Sequence, residues 1–197
     1  MCYRMLHTIT MSAAEEKTHL REEMRNRIAA ISASMRAKED AAICQTLEKT
    51  IPVGSTIGGY MPLPDETDIR PFLHTLLKNK HAVYLPRYEN ATITFYRITS
   101  LRQLTMSHMG ILEPEENARI LEDGTPLTVL VPGRAFDAQG NRLGRGKGGY
   151  DAWIMKEKDT GRPLHCIGIG YSCQLVDSVP QEPHDQRMDT VITGTNG

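Results

Sequence analysis

No stretch constrains the fold of this chain more than Asn141-Arg-Leu-Gly-Arg-Gly-Lys-Gly-Gly-Tyr-Asp151 and its two flanks. Ahead of it, the apolar run Leu127-Thr-Val-Leu-Val131 predicts a buried strand. Behind it, Tyr150-Asp-Ala-Trp-Ile-Met-Lys-Glu-Lys158 predicts a short helix. Gly144, Gly146, Gly148 and Gly149 allow positive φ and bring bare N–H groups against a ligand. Consecutive N–H groups in such a loop make a concave anion site, and a following helix N-terminus strengthens it. Arg142, Arg145 and Lys147 are interleaved with the glycines. Arginine offers a planar fork to phosphate oxygens, and lysine a mobile point charge. The stretch therefore predicts a phosphate cradle between a strand and a helix. The plainer alternative, a solvated surface loop, needs neither this glycine spacing nor this context.

The rest of the chain reads as alternating helices and strands. Ser12-Ala-Ala-Glu15 has capping-box spacing and predicts a helix to about Ile31, with Leu20, Met24, Ile28 and Ile31 as its apolar stripe. At about 100° per residue Lys17 falls within that stripe and Arg21 at its edge. Both cations then aim toward the body of the protein, to serve a site or to snorkel over the core rim. A second helix is predicted over about Met35 to Lys49, then a strand Ser55-Thr-Ile-Gly-Gly-Tyr-Met61. Gly58 and Gly59 weaken that strand unless something packs closely there. Asp65 to Asp68 supplies cap candidates for a helix carrying Ile69, Phe72, Leu73, Leu76 and Leu77, with Pro71 in its first turn. Further strands are predicted at His81–Leu85, stopped by Pro86, and at Thr92–Ile98, Leu164–Gly170 and Thr190–Thr193. Leu101 to Asp123 reads as a helical turn and a proline-containing loop. This alternation predicts an α/β fold: a single three-layer α/β/α domain over residues 12–197 with a mainly parallel, Rossmann-like sheet. Residues 1–11 are expected to be a disordered extension.

Composition narrows the function. A net charge of −1 makes any phosphate affinity a matter of local clustering and argues against nucleic acid. No apolar run reaches the roughly 18 residues that span a bilayer. Cys2, Cys44, Cys166 and Cys173 have no metal-site spacing and read as reduced thiols in the cytoplasm. The loop is not a Walker A site, because Gly148, not Ser or Thr, follows Lys147. Gly144 to Gly149 does satisfy the dinucleotide glycine spacing. The next strand, however, ends in Gly170-Tyr-Ser172 without the acid that would hold a ribose, which disfavours a nicotinamide cofactor.

With these residues in view, the chain resembles the 5-formyltetrahydrofolate cyclo-ligase family. Val131-Pro-Gly-Arg-Ala-Phe-Asp137 and Gly140-Asn-Arg-Leu-Gly-Arg-Gly-Lys-Gly-Gly-Tyr-Asp151 carry the central likeness. Lys17-Thr-His-Leu-Arg21, Asp65-Glu66, Tyr84-Leu-Pro-Arg87, Gly110-Ile-Leu-Glu-Pro114 and Gln174 to Ile192 extend it in the same order. The resemblance implies conversion of 5-formyltetrahydrofolate to 5,10-methenyltetrahydrofolate with MgATP, by a monomer. It implies that Lys17, Arg21, Arg142, Leu143, Gly144, Arg145, Gly146, Lys147, Gly148, Gly149 and Tyr150 embrace ATP. Met61, Glu66, Arg145, Gly149 and Tyr150 would line the folate site, and Asp151 and Asp185 would hold Mg²⁺. Arg145, Lys147 and Tyr150 would stand nearest the reacting groups. The chain departs from the family at Gly149, where a tyrosine is common, and lacks an acid after its last strand. That glycine motivates a second expectation, a folate- or nucleotide-binding module with little turnover.

Overall fold

The computed structural model describes residues 11–89, 92–107 and 110–194; the extension expected at residues 1–11 lies, but for Met11, outside them. Helix α1 (Ala13–Ala30) begins at the expected capping box: Glu15 donates its N–H to Ser12 Oγ, and Ser12 donates its own to Glu15 Oε2 at 2.8 Å. Helix α2 (Ala33–Thr50) starts two residues before the expected position because Ser32 caps it. Strand β1 (Thr56–Gly58) is shorter than the expected Ser55–Met61. Helix α3 (Arg70–Lys78) turns Phe72, Leu73 and Leu76 into the core, and Asp68 accepts the Arg70 N–H at 3.0 Å.

Strand β2 (Ala82–Glu89) runs straight through Pro86, the residue expected to stop it. Its pairing with β1 ends at Tyr84, so the missing proline N–H falls beyond the last β1 pair and costs nothing there. Strand β3 (Thr92–Ile98) returns antiparallel along β2. A 3-10 turn at Leu101–Gln103 leads to a small hairpin of β4 (Thr105–Met106) and β5 (Leu112–Glu113), which the sequence reading leaves as loop. Then come β6 (Leu127–Pro132), the hairpin of β7 (Ala135–Phe136) and β8 (Arg142–Leu143), helix α4 (Gly149–Asp159), β9 (Leu164–Gly170) and β10 (Thr190–Thr193).

The main sheet has the order β10-β9-β6-β1-β2-β3, parallel except for β3 at one edge. Period-two alternation divides its side chains between two cores. Val83, Leu85, Leu130, Ile167 and Ile169 face α2 and α3; Tyr84, Val129, Val131 and Cys166 face Trp153 and Ile154 of α4. Burying each such aliphatic side chain contributes about 1.5–3 kcal/mol. Helix α1 closes a third cluster, with Met24 packed beside Ala135 and Leu143 of the β7–β8 hairpin. Close packing explains the paired glycines: a Cβ on Gly58 would lie 2.9 Å from the Phe95 ring, and one on Gly59 2.7 Å from Leu73.

The strand order reverses between β1 and β6. From β1 the chain proceeds to β2 on one side, and from β6 to β9 and β10 on the other. In open α/β sheets a crevice opens at the carboxyl ends of the strands at such a switch point.

Candidate functional site

A cavity of about 260 Å³ occupies that crevice. Tyr60 and Met61 follow β1 into it, and Pro132 and Gly133 end β6 beside it. Every site residue expected from the sequence lines it: Lys17, Arg21, Met61, Glu66, the loop from Arg142 through Asp151, and Asp185. These residues come from α1, the loop after β1, the glycine loop and the segment before β10.

Helix α1 delivers its cations as its periodicity demands. Lys17 is 4% exposed, and its ammonium meets Glu182 at 2.7 Å and Asp185 at 2.5 Å. Burial works against that charge, but the hydrogen bonds and charges of Asp185 and Glu182 outweigh it and raise the lysine pKa. The Asp185 carboxyl is held below its ordinary value: burial opposes this, while the hydrogen bond from Lys17 and the Glu182 N–H produce it. Arg21 donates from Nε to the Gly144 carbonyl at 3.0 Å and so braces the glycine loop from outside.

Within the loop, Gly146 and Gly148 have φ of 96° and 67°, and Gly148 is the N-cap of α4. Arg142 is buried; it donates to the Pro132 carbonyl at 3.1 Å and to Asp151 Oδ2 at 2.8 Å, and its guanidinium lies over the Tyr150 ring. Asp151 Oδ1 also accepts the Gln186 N–H at 3.1 Å. Arg145 reaches across the cavity, donating from Nε to Glu66 Oε1 at 2.9 Å and from Nη2 to Asp65. Glu66 accepts the Leu63 N–H on its other oxygen at 3.0 Å. The Tyr150 hydroxyl is buried with no hydrogen-bond partner among the described residues. Burial first, then the charges of Tyr88 and Glu66, push its pKa well above the ordinary tyrosine value.

Other lining residues carry no expectation from sequence. Tyr60, Tyr88, Ile111 and Leu112 form a more apolar side of the cavity, and burial pushes the Tyr88 phenol up to about 12. Ile111 and Leu112 sit in the Gly110-to-Pro114 motif, whose proline and glycine signal a loop but not what it covers. Glu182, partner of Lys17, lies in the proline-flanked loop that also bears His184 and Asp185. Conversely, Asp137 does not line the cavity although it belongs to the central motif. It is fully buried and accepts from the Gln139, Asn141 and Val179 N–H groups and from Asn141 Nδ2. Its work is to fold the turn that launches β8.

Among the described residues no three His, Cys, Asp or Glu side chains gather as a metal site. The oxygen donors at the cradle, Asp151 and Asp185, are of the class Mg²⁺ accepts. That ion uses few protein carboxylates, taking its remaining ligands from phosphate and water. The donor set therefore fits a Mg²⁺ brought with a polyphosphate.

Fold and site together define a doubly wound α/β protein with a cation-lined cleft at its topological switch point. The profile of the 5-formyltetrahydrofolate cyclo-ligase family matches residues 13–194. The chain is 30% identical to the 5-formyltetrahydrofolate cyclo-ligase of Mycolicibacterium smegmatis, over 92% of this chain and 95% of that protein. It is 25% identical to the mouse protein of the same name, over 93% and 95%. The solved 5,10-methenyltetrahydrofolate synthetase of Aquifex aeolicus superposes with a TM-score of 0.78 at 28% identity, over 91% of this chain and 90% of that one. The Mycoplasma pneumoniae synthetase gives 0.72 at 25%, over 90% and 98%. This chain belongs to the 5-formyltetrahydrofolate cyclo-ligase family. A binding module without turnover is not favoured, since these relatives are named as enzymes.

Proposed function

We propose that this cleft uses ATP to close 5-formyltetrahydrofolate to 5,10-methenyltetrahydrofolate, releasing ADP and phosphate. The observation that carries the reading is convergence: residues from seven separated stretches line one cavity with a cationic side and an apolar side. Lys17, Arg21, Arg142, Lys147 and the glycine-loop N–H groups suit a triphosphate. Met61, Tyr60, Tyr88, Ile111 and Leu112 suit a flat ring system, and Glu66 is the acceptor for pterin N–H groups. Asp151 and Asp185 would hold Mg²⁺, which supplies charge neutralisation at the phosphates.

The formyl oxygen attacks the γ-phosphorus, and ADP leaves with the electron pair of the broken P–O bond. The N10 lone pair then adds to the activated formyl carbon. Phosphate departs with the C–O pair and takes up the N10 proton, leaving the N5–C–N10 amidinium of the closed ring. No protein nucleophile is needed. The chain holds the two substrates in line and opposes the charge that builds between them. Arg145 spans from the glycine loop to Glu66 and thus joins the two halves of the site. The Tyr150 hydroxyl, without a partner among the described residues, is a group available to a reacting oxygen.

Elements from α1 to the segment before β10 line the same cleft, which supports residues 12–197 as one domain. The thiols of Cys44, Cys166 and Cys173 are free, which supports a cytoplasmic setting; no helix among the described residues is long and apolar enough to cross a membrane. The test mixes purified protein with 5-formyltetrahydrofolate and MgATP and follows the methenyl chromophore together with ADP. Both products should rise in equal amounts. Absence of chromophore at high enzyme concentration overturns the reading.

A further inference from the structure

Asp65 stands next to Glu66 but, like Arg134, is not among the described residues that line the cavity. Its two carboxylate oxygens are divided between two arginines. Oδ2 accepts from Arg134 Nη1 at 2.6 Å, and Oδ1 accepts from Arg145 Nη2. The three side chains thus form a chain across the switch point. Arg134 follows β6, Asp65 follows β1, and Arg145 belongs to the glycine loop.

The backbone at Arg134 and beside Asp65 is fixed by other bonds. The Arg134 N–H donates to the Leu143 carbonyl at 2.6 Å, and the Arg134 carbonyl accepts from Gln174 Nε2 at 3.1 Å. Beside Asp65, the Glu66 N–H donates to the Leu63 carbonyl at 2.9 Å, and the Tyr171 hydroxyl donates to the Glu66 carbonyl at 3.2 Å. Arg134 is also well sheltered, its side chain 11% exposed against 33% for Asp65 and Arg145. A sheltered cation therefore holds Asp65, and Asp65 in turn holds the fork of Arg145. The fork keeps further N–H groups for another anion, because arginine carries five and its Nε and Nη2 spend one each here.

Charge explains why the second arginine matters. Asp65 and Glu66 alone would place two carboxylates against the single cation Arg145, a net repulsion for an approaching phosphate. With Arg134 included the group is balanced, and Arg145 can still attract an anion.

We propose that Arg134 and Asp65 are positioning residues that act through Arg145, setting where its guanidinium meets the nucleotide phosphates. This rests on the reading of the cleft as an ATP site. Arg134→Gln should raise KM for ATP about threefold, and Asp65→Asn should lower kcat/KM about three- to tenfold, the scale of a charged hydrogen bond discounted for its exposure. Arg134→Lys should restore most of the loss.

The decisive measurement is a double-mutant cycle. Arg134→Gln should add nothing once Asp65 is already Asn, since the link between the arginines is cut. A merely structural role would instead lower the unfolding temperature and leave kcat/KM of the folded enzyme unchanged. A second readout needs no turnover. In ¹⁵N-arginine-labelled protein, the Nε–H resonance lost in Arg145→Lys should exchange slowly in the parent and faster in Asp65→Asn and Arg134→Gln. Equal effects of Arg134→Gln in both backgrounds, or an unchanged Arg145 resonance, overturn the relay. A parent enzyme that retains the protected resonance but makes no product sinks the ATP reading instead.

Discussion

Tyr150 carries a polar atom that packing alone does not account for. Its ring is packed in the core with Trp153 and Ile154, yet its hydroxyl is left without a partner among the described residues. A buried hydroxyl without a bond is a cost the fold carries, and removing it relieves that cost. Tyr150→Phe should therefore leave the denaturation midpoint unchanged or slightly raised, while turnover falls about three- to tenfold, as loss of one neutral hydrogen bond allows. Full activity in that variant, measured beside its unfolding curve, would remove Tyr150 from the chemistry. Lys17 shows how far a single residue could be read from sequence. Its place on the α1 stripe was visible in the 3.6-residue period, and it is indeed buried. Its partners Glu182 and Asp185, 165 and 168 positions away, were not. Asp137 shows the converse: it belongs to the central motif, yet four donors from its own turn and the Val179 loop consume it.

At the scale of elements, the glycine loop works because of backbone shape. Gly148 caps α4 at φ 67°, and a Cβ placed there would touch nothing within 4 Å. Gly148→Ala therefore meets no clash and should cost about 1–2 kcal/mol of stability through left-handed strain alone. Because the strained residue starts α4, KM for ATP should rise as well; an alanine variant with parental KM and a parental chemical denaturation curve would show that the cradle does not depend on this turn. Strands β3 and β10 and the buried run of β9 were legible to the residue. Strand β1 was not. The Ser55–Met61 run is apolar enough to look like a longer strand, but pairing with its parallel neighbours ends at Gly58, where the chain turns into the cavity. Pro86 reads as a stop because local chemistry forbids its hydrogen bond; whether a neighbour asks for that bond is a question of register.

For the whole molecule, the consequence of this architecture is that ligand and fold share the same contacts. Lys17 of α1, the loop after β1, the glycine loop and Asp185 meet only when the sheet is assembled. A ligand that bridges them binds the native state alone and must stabilise it by mass action. MgATP at about 100 times its Kd should add about 2.7 kcal/mol, read as a rise in unfolding temperature that grows with nucleotide concentration. No shift at saturating MgATP would mean that these cations do not form its site. The sequence by itself determined the alternation of helices and strands, the glycine loop between β6 and α4, and the inward face of α1, because period, capping and backbone permissiveness act over a few residues. Only the tertiary structure decided the strand order, the reversal between β1 and β6, and the meetings of Lys17 with Asp185 and of Arg145 with Asp65 and Glu66. Those depend on how separate segments bury their apolar faces against one sheet, and no local pattern encodes which charged side chains are thereby left facing each other.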